Sequence, residues 1–374
     1  MTAESAVRFL VVVGTRPEAI KLAPVVRALR DDARHLVAVV DTGQQPALVP
    51  PALAAVGLAS DVRLTLERHD HGLNELLGRL IAGLDRAIAE QRPDVVLVQG
   101  DTTSALAGAL AAFHRGVPVG HVEAGLRSGD PRLPFPEEAN RRMITALARW
   151  HFAPTARAAD ALRAEGVPAE SVHLTGNPIV DELHRTLALT AASPASPVPR
   201  GRKLLVATLH RRESIGAPIA AVLRALRRIA DADPAVDVWL PLHANPQVRD
   251  PAVALLGAHP RIRLEDAAEY PQFLRRLAAA DLVITDSGGV TEEAAVLGVP
   301  TLVVREQTER REAIDAGIAR LLGTDEDAIV AAATQQLADG RPAAGTGAFG
   351  SGDAGVRIAA ILRAEVRPDG GTGP

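Results

Sequence analysis

Short apolar runs alternate with Ala/Leu/Arg-rich segments of helical spacing from residue 7 onward. This alternation is typical of a parallel sheet whose strands are connected by helices. The pattern stops once, in residues 191–200, where small residues and prolines replace any periodicity, and it restarts at Lys203. The sequence therefore predicts an α/β protein with two Rossmann-like, doubly wound domains, joined by a proline-rich hinge and facing a central cleft, the kind of place where ligands bind.

The same patterns predict the bounds of the domains. The first domain is expected over residues 1–186, the linker over 187–201 and the second domain over 202–353, and a closing helix over 354–366 is expected to pack back on the first domain. Predicted strands lie at 7–13, 36–41, 94–98, 117–122, 150–153, 171–174, 203–208, 236–241, 282–285 and 300–304. Predicted helices lie at 17–30, 73–90, 103–114, 137–148, 156–165, 217–232, 270–279, 291–297 and 309–316.

Composition excludes several classes of function. A formal net charge of −4 argues against a nucleic-acid surface, because phosphate binding needs a basic field. The absence of cysteine excludes disulfides and thiolate metal ligands and is in keeping with a reducing cytoplasm. No apolar run reaches the roughly 20 residues of a membrane span, and the apolar run at 7–13 is interpreted as a strand because it lacks a basic leader. We expect a cytoplasmic protein without membrane or nucleic-acid partners.

Three acidic sites stand out in the first half. Asp101 follows the apolar run at 94–98, Glu123 ends the run at 117–122, and the third site holds Glu137 and Glu138. Side chains at the carboxyl ends of parallel strands lie in the crevice where such sheets bind ligands. The alternative for Asp101 is a plain helix cap, a role that Asp often has; the two further acidic sites favour a functional interpretation.

A second candidate is the turn that follows the first strand. Arg16 lies in Gly14-Thr15-Arg16-Pro17-Glu18, between the strand and a helix, and Lys21 follows one turn later. A helix N-terminus with two cations can bind an anion; the alternative is an ordinary turn with solvated basic residues. Neither this turn nor any other segment matches the G-x-G-x-x-G pattern, so a nicotinamide cofactor is not expected.

The second domain carries a turn suited to a diphosphate. The segment 285–293 leaves a strand, turns at Ser287-Gly288-Gly289 and enters a helix, so its backbone amides can bind a diphosphate. Glu293, one turn into that helix, can accept hydrogen bonds from a ribose diol; the alternative is a structural turn. His210 and His243 each follow a predicted strand, which favours the crevice over a packing role. No cluster has the spacing of a metal site.

Taken together, these blocks resemble the non-hydrolysing UDP-N-acetylglucosamine 2-epimerases over nearly the whole chain. Each block alone is weak, but their number and order make the resemblance specific. The motifs that carry it are Gly14-Thr15-Arg16-Pro17-Glu18, Gly100-Asp101-Thr102-Thr103, 120–127, 136–141, Thr175-Gly176-Asn177-Pro178, 210–213, 286–289 and Thr308-Glu309-Arg310.

The resemblance implies a two-domain glycosyltransferase-B architecture, a homodimer, and interconversion of UDP-N-acetylglucosamine and UDP-N-acetylmannosamine without a metal or nicotinamide cofactor. By the same resemblance the catalytic residues are Asp101, Glu123, Glu137 and His210. The residues that bind the UDP-sugar are Arg16, Lys21, Arg141, Arg211, His243, Phe273, Ser287, Gly288, Gly289, Glu293 and Arg310.

The expected reaction is elimination of UDP to a 2-acetamidoglucal, followed by re-addition with the C2 proton delivered to the opposite face. A set of carboxylates can supply acid and base groups on both faces. The alternatives are a UDP-sugar glycosyltransferase, a hydrolysing epimerase, a UDP-sugar sensor and an epimerase for a modified UDP-sugar. The chain departs from the family pattern at Gln45 and Pro46, in a segment that helps bacterial members to bind an activating second substrate molecule.

Overall fold

The computed structural model describes residues 6–67, 72–191, 201–210, 215–342 and 345–366. Two compact units divide the chain, the first formed by Met1–His184 with Gly350–Pro374 and the second by Arg185–Phe349. Each unit is built on one parallel sheet. Among the described residues, no helix has the length and apolar character needed to cross a lipid bilayer.

The first unit holds a seven-stranded sheet with the order β3-β2-β1-β4-β5-β6-β7. Its strands are β1 (Val7–Val13), β2 (His35–Asp41), β3 (Val62–Arg63), β4 (Val95–Gln99), β5 (Val119–Val122), β6 (Trp150–Ala153) and β7 (Val172–Leu174). The helices that connect and follow them are α1 (Arg16–Arg30), α2 (Val49–Ala55), α3 (Leu73–Gln91), α4 (Thr103–His114), α5 (Glu137–Leu147), α6 (Ala156–Ala164) and α7 (Pro178–Thr190).

The second unit holds a six-stranded sheet with the order β10-β9-β8-β11-β12-β13. Its strands are β8 (Lys203–Thr208), β9 (Val236–Leu242), β10 (Ile262–Asp266), β11 (Leu282–Thr285), β12 (Thr301–Val303) and β13 (Ala319–Leu321). Its helices are α8 (Ala217–Ala232), α9 (Pro246–Leu256), α10 (Tyr270–Ala279), α11 (Gly288–Val296), α12 (Arg311–Asp315) and α13 (Glu326–Asp339).

Helices on both faces bury most of the central strands. All five residues of β4 are buried, and one face of the first sheet packs on α1 while the other packs on α3 and α4. Strands covered on both sides have no reason to alternate apolar with polar residues, which explains the continuous Val/Leu runs in the sequence. In the second unit, one cluster of buried residues packs α8 and α13 against the strands.

The last described helix, α14 (Ala354–Glu365), belongs to the first unit and packs against α1. Gly355 permits the close approach, since a Cβ there would lie 2.7 Å from the backbone of Pro24. The carboxylate of Asp181 accepts hydrogen bonds from the amides of Ala354 and Gly355 at the start of α14. The helix therefore completes the layer on one face of the first sheet.

The predicted linker over 187–201 begins later than expected. Residues 187–190 are helical because α7 continues to Thr190, and residues 192–200 lie outside the described residues. The other predicted strands and helices are found within three residues of their expected ends.

Both sheets reverse their strand order at one point. In the first sheet this point lies between β1 and β4, and in the second between β8 and β11. Ligands of open α/β sheets bind beyond the carboxyl ends of the strands that flank such a reversal. The candidate residues Arg16 and Asp101 follow β1 and β4, and His210 and Ser287 follow β8 and β11.

Candidate functional site

Asp101 lies in the tight turn between β4 and α4, and it does not cap the helix. The N-cap is Thr102, whose hydroxyl accepts a hydrogen bond from the amide of Ala105, so the helix-cap interpretation of Asp101 is wrong. The carboxylate of Asp101 instead accepts a hydrogen bond from Arg141 Nη1 at 2.5 Å, and its side chain is 26% exposed. It is thus a partly exposed carboxylate that is oriented by a charged partner.

Arg141, the partner of Asp101, is buried, with only 1% of the residue exposed. Its Nη2 and Nε donate to Glu138 Oε2 at 2.7 and 3.0 Å, while Nη1 donates to Asp101. Glu138 is fully buried and also accepts from the amide of Ser128 and from Arg142 Nε. A buried guanidinium shared in this way orients Asp101, and the predicted contact of Arg141 with the ligand stays a prediction.

Glu123 directly follows β5 and has a left-handed backbone conformation, with φ of 62°. For a residue with a Cβ this costs on the order of 1–2 kcal/mol, so the conformation persists only where its surroundings impose it. The carboxylate is 2% exposed and receives Lys21 Nζ at 2.6 and 2.8 Å, as well as a short hydrogen bond from Gln99 Nε2. Lys21 is therefore buried, and the interpretation of Lys21 as a solvated cation is wrong.

Glu137 is the first residue of α5, and it is half-buried. The following residue, Glu138, is the one that the structure buries against Arg141. The two neighbouring glutamates thus have different environments, and the sequence alone did not show which of them is fully buried. We refer to Asp101, Glu123, Glu137 and Glu138 as the acidic cluster.

A hydrogen bond joins α1, which follows the Arg16 turn, to the turn that carries Asp101. Glu18 is buried and accepts hydrogen bonds from the amide of Gly14 and from the hydroxyl of Thr102, at 2.9 and 2.6 Å. Burial raises the pKa of Glu18 to about 7, although its hydrogen bonds to Thr102 and to the backbone act in the opposite direction. Arg16 begins α1, and its amide donates to the side chain of Gln45 at 3.1 Å. The residue that departs from the family pattern therefore supports the Arg16 turn.

His210 follows β8 in the second unit and is held by Asp286. The imidazole Nδ1 lies 3.0 Å from Asp286 Oδ1, and the amide of His210 donates to both carboxylate oxygens. Asp286 is fully buried, whereas the side chain of His210 is 40% exposed. The Asp carboxylate thus accepts from Nδ1 and leaves Nε2 as the other edge of the ring. A packing role for His210 does not fit this exposure.

The turn after β11 forms the N-terminus of α11. Ser287 is the N-cap, its hydroxyl accepts from the amide of Val290, and Gly288 begins the helix. The first amides of a helix have no partner inside the helix and carry partial positive charge, so they suit an anion. Glu293 is buried one turn further along the same helix.

Arg310 packs flat against Gly288. A Cβ at position 288 would lie 3.0 Å from Arg310 Nε and 3.1 Å from its Cζ, whereas a Cβ on Gly289 would meet none of the described residues within 4 Å. The guanidinium is buried and donates to Glu292 and Glu309 at 2.9 and 2.6 Å. The two glycines predicted to bind UDP therefore differ: Gly288 lets a cation approach the helix terminus, and Gly289 has open space above it.

His243 and Phe273 complete the predicted residues of the second unit. His243 follows β9, its ring centroid lies 6.3 Å from that of His210, and its Nδ1 accepts from the amide of Asn245. Partial burial, together with His210, lowers the pKa of His243. Phe273 on α10 packs against Trp239, with ring centroids 5.9 Å apart. Arg211 lies outside the described residues.

The sequence interpretation missed the supporting partners of these residues. Asp286 and Glu138 lie inside motifs that the sequence analysis recognised. Their positions could have identified them, because Asp286 is adjacent to Ser287 and Glu138 is three residues before Arg141. Glu292 and Glu309 gave the same signal, since they are adjacent to Glu293 and Arg310, but only the fold shows that both contact the Arg310 guanidinium and that Gln99 donates to Glu123. Within the described ranges, no group of three or more His, Cys, Asp or Glu residues is arranged to hold a metal ion.

Comparison with known proteins gives consistent matches over the chain. A family model described as UDP-N-acetylglucosamine 2-epimerase matches residues 27–363. The UDP-N-acetylglucosamine 2-epimerase of Salmonella typhimurium is 42% identical over 341 residues, which cover 89% of this chain and 91% of that protein.

Solved structures of the same family also match over nearly the whole chain. The UDP-GlcNAc 2-epimerase from Neisseria meningitidis bound to UDP-GlcNAc is 34% identical, with a TM-score of 0.91 and coverage of 96% of this chain and 100% of that chain. The enzyme from Methanocaldococcus jannaschii in complex with UDP-GlcNAc and UDP is 29% identical, with a TM-score of 0.85 and coverage of 96% and 99%. The predicted α/β fold of the glycosyltransferase-B type is thereby confirmed.

Proposed function

Since the chain belongs to the UDP-N-acetylglucosamine 2-epimerase family, we propose that it interconverts UDP-N-acetylglucosamine and UDP-N-acetylmannosamine without releasing free sugar. The observation that carries the proposal is the oriented carboxylate of Asp101, held by the buried Arg141 in the acidic cluster. The second unit supports it with a helix N-terminus and a buried arginine at Gly288. A nucleotide diphosphate and an acid/base set are what an epimerase of this class needs.

The residues of the second unit bind the nucleotide in this proposal. The amides at the start of α11 and the guanidinium of Arg310 receive the diphosphate, and Glu293 accepts hydrogen bonds from the ribose hydroxyls. Glu292 and Glu309 hold the guanidinium, so that less side-chain entropy is lost when the diphosphate binds. His210, oriented by Asp286, donates to the departing diphosphate.

The carboxylates of the first unit move the C2 proton. The hydrogen on C2 is not adjacent to a carbonyl, so its removal needs the simultaneous loss of UDP from C1. The base takes the proton, the C–H electron pair forms the C1–C2 double bond, and the C1–O bond electrons leave with UDP. In the reverse addition a proton reaches C2 from the opposite face and UDP re-forms its bond to C1. Asp101 is one of the two groups, and Glu123 or Glu137 is the other.

An assay with the UDP-sugar as the only substrate tests the proposal. The protein is incubated with UDP-N-acetylglucosamine and no acceptor, and the products are followed by NMR. The proposal predicts UDP-N-acetylmannosamine, with the two nucleotide sugars reaching the same ratio from either side. Free N-acetylmannosamine with UDP would show a hydrolysing epimerase, and unchanged substrate would favour a glycosyltransferase or a sensor; each of these results contradicts the proposal.

We also propose that the protein acts as a homodimer in the cytoplasm, as the family resemblance implies. The absence of cysteine supports the reducing compartment. Light scattering on the purified protein measures the mass directly: twice the 39.2 kDa of one chain is expected, and the mass of one chain would contradict the dimer.

A further inference from the structure

His121 is a buried residue of β5 that the proposed mechanism does not use. Its side chain is fully buried, and its Nε2 lies 2.7 Å from the carbonyl oxygen of Gly100, the residue before Asp101. A carbonyl oxygen can only accept a hydrogen bond, so Nε2 carries the proton. The imidazole therefore donates to the main chain of the turn that presents Asp101.

The main-chain carbonyl of Asp101, in the same turn, also accepts a hydrogen bond from a side chain. Asn140 Nδ2 on α5 donates to the carbonyl oxygen of Asp101 at 2.8 Å. Gly100 has a φ of 68°, in the left-handed region, and its amide donates to the carbonyl of Val122 at the end of β5. Two consecutive carbonyls thus receive side-chain donors from two different elements, while Arg141 holds the carboxylate itself.

The imidazole of His121 is expected to be neutral, because its second nitrogen, Nδ1, lies in a buried environment that disfavours a charge. Its Nδ1 is buried and has no hydrogen-bond partner in the part of the chain that the structure describes. A proton added there would be an uncompensated buried charge. The pKa of His121 is lowered to about 3, chiefly by burial and also by His151 on β6 and Arg127 after β5, although Gly100 and Asp101 act in the opposite direction.

We propose that His121 is a positioning residue for Asp101: its Nε2–H holds the Gly100 carbonyl and so sets where the Asp101 carboxylate stands. The inference rests on the proposed epimerase function, in which Asp101 moves the C2 proton. It makes His121 necessary for the rate of proton transfer and unnecessary for binding the nucleotide. A displacement of about 1 Å in a catalytic group can reduce a rate about 100-fold.

The test compares two substitutions at His121 with a control at His35. His35 is also a buried imidazole of the first sheet that contacts a main-chain carbonyl, with Nδ1 3.1 Å from the oxygen of Leu29. We expect H121F to lower kcat about 100-fold with KM little changed. We expect H121Q, whose amide can donate from a similar position, to recover most of the rate, and H35F to retain the wild-type kcat.

Equal kcat for H121F and H35F, or a loss in H121Q as large as in H121F, would overturn the inference. A second readout does not depend on activity: nitrogen NMR of the labelled wild-type protein should show His121 as the neutral Nε2–H tautomer from pH 5 to pH 8. An Nδ1–H tautomer or a charged ring would overturn it even if H121F fails to fold. If the wild-type protein shows no epimerase activity, the proposed function fails while this NMR result still stands.

Discussion

The candidate residues of the two units are held in different ways. In the first unit, buried ion pairs join Arg141 to Asp101 and Glu138, and Lys21 to Glu123. In the second unit, the candidate anion-binding feature is the main chain at the start of α11, beside Arg310. In the proposed function, proton transfer therefore depends on side chains with set partners, whereas diphosphate binding depends on the main chain together with one buried side chain, Arg310.

The contrast makes a clear prediction for the first unit. Asp101→Asn keeps the shape of the side chain and removes its ability to take a proton. We expect kcat to fall by about 100- to 10,000-fold, while UDP affinity, which depends on the second unit, is little changed. Calorimetric titration with UDP alongside the epimerase assay separates the two effects, and full activity in this variant would refute the role of Asp101.

Glu138→Gln tests whether the buried ion pairs are structural. Removal of one member of a buried pair costs up to about 3–5 kcal/mol of the free energy of unfolding, and here Arg141 keeps Asp101 as its remaining partner. The matched control is Asp160→Asn, because Asp160 pairs with Arg163 while 73% exposed; such surface pairs contribute roughly 0–1 kcal/mol. Urea denaturation measures both variants, and equal stability would break the distinction between buried and exposed pairs in this unit.

Glu18 predicts a pH dependence of stability. Its pKa is raised from 4.5 to about 7 in the folded protein, because burial disfavours the carboxylate. The folded state therefore binds the proton more tightly, so this contribution is fully present below pH 4.5 and is lost as pH rises through 7. At about 1.4 kcal/mol for each pKa unit, the change is about 3 kcal/mol.

Glu18→Gln isolates this effect, because the amide cannot ionise. Thermal unfolding from pH 5 to pH 8 should show the wild type losing stability relative to the variant as pH rises. Parallel curves for the two proteins over that range would show that Glu18 does not titrate there.

The smallest expected effect concerns the two glycines of the second unit. Gly288→Ala places a Cβ 3.0 Å from Arg310 Nε and displaces the guanidinium, whereas Gly289→Ala meets open space. We expect UDP affinity to fall about tenfold, or about 1.4 kcal/mol, in the first variant and to change little in the second. Equal affinities for both variants would indicate that Arg310 does not support the nucleotide.

Much of the fold follows from local sequence patterns, because buried parallel strands leave uninterrupted apolar runs. The sequence interpretation missed α2, α7, α9, α13, β3, β10 and β13. The three strands lie at the sheet edges, where side chains are partly exposed and the apolar runs are short or broken by charges. Within α9, Pro251 interrupts the helical pattern.

The candidate residues were predictable to the same depth in both units. Residues that follow strands, such as Asp101 and His210, could be found from their position in the chain. Which residue pairs with each of them could not be found: Arg141 contacts Asp101 across 40 residues, and Asp286 contacts His210 across 76. A pairing over such distances depends on strand order, which the sequence does not state.

The central claim is that side chains of the first unit remove the C2 proton and that a proton returns to the opposite face. The most direct measurement is to run the reaction from UDP-N-acetylglucosamine in heavy water and to observe C2 by NMR. The account predicts that deuterium replaces the C2 hydrogen as UDP-N-acetylmannosamine forms. Formation of the epimer with its original C2 hydrogen retained would contradict it.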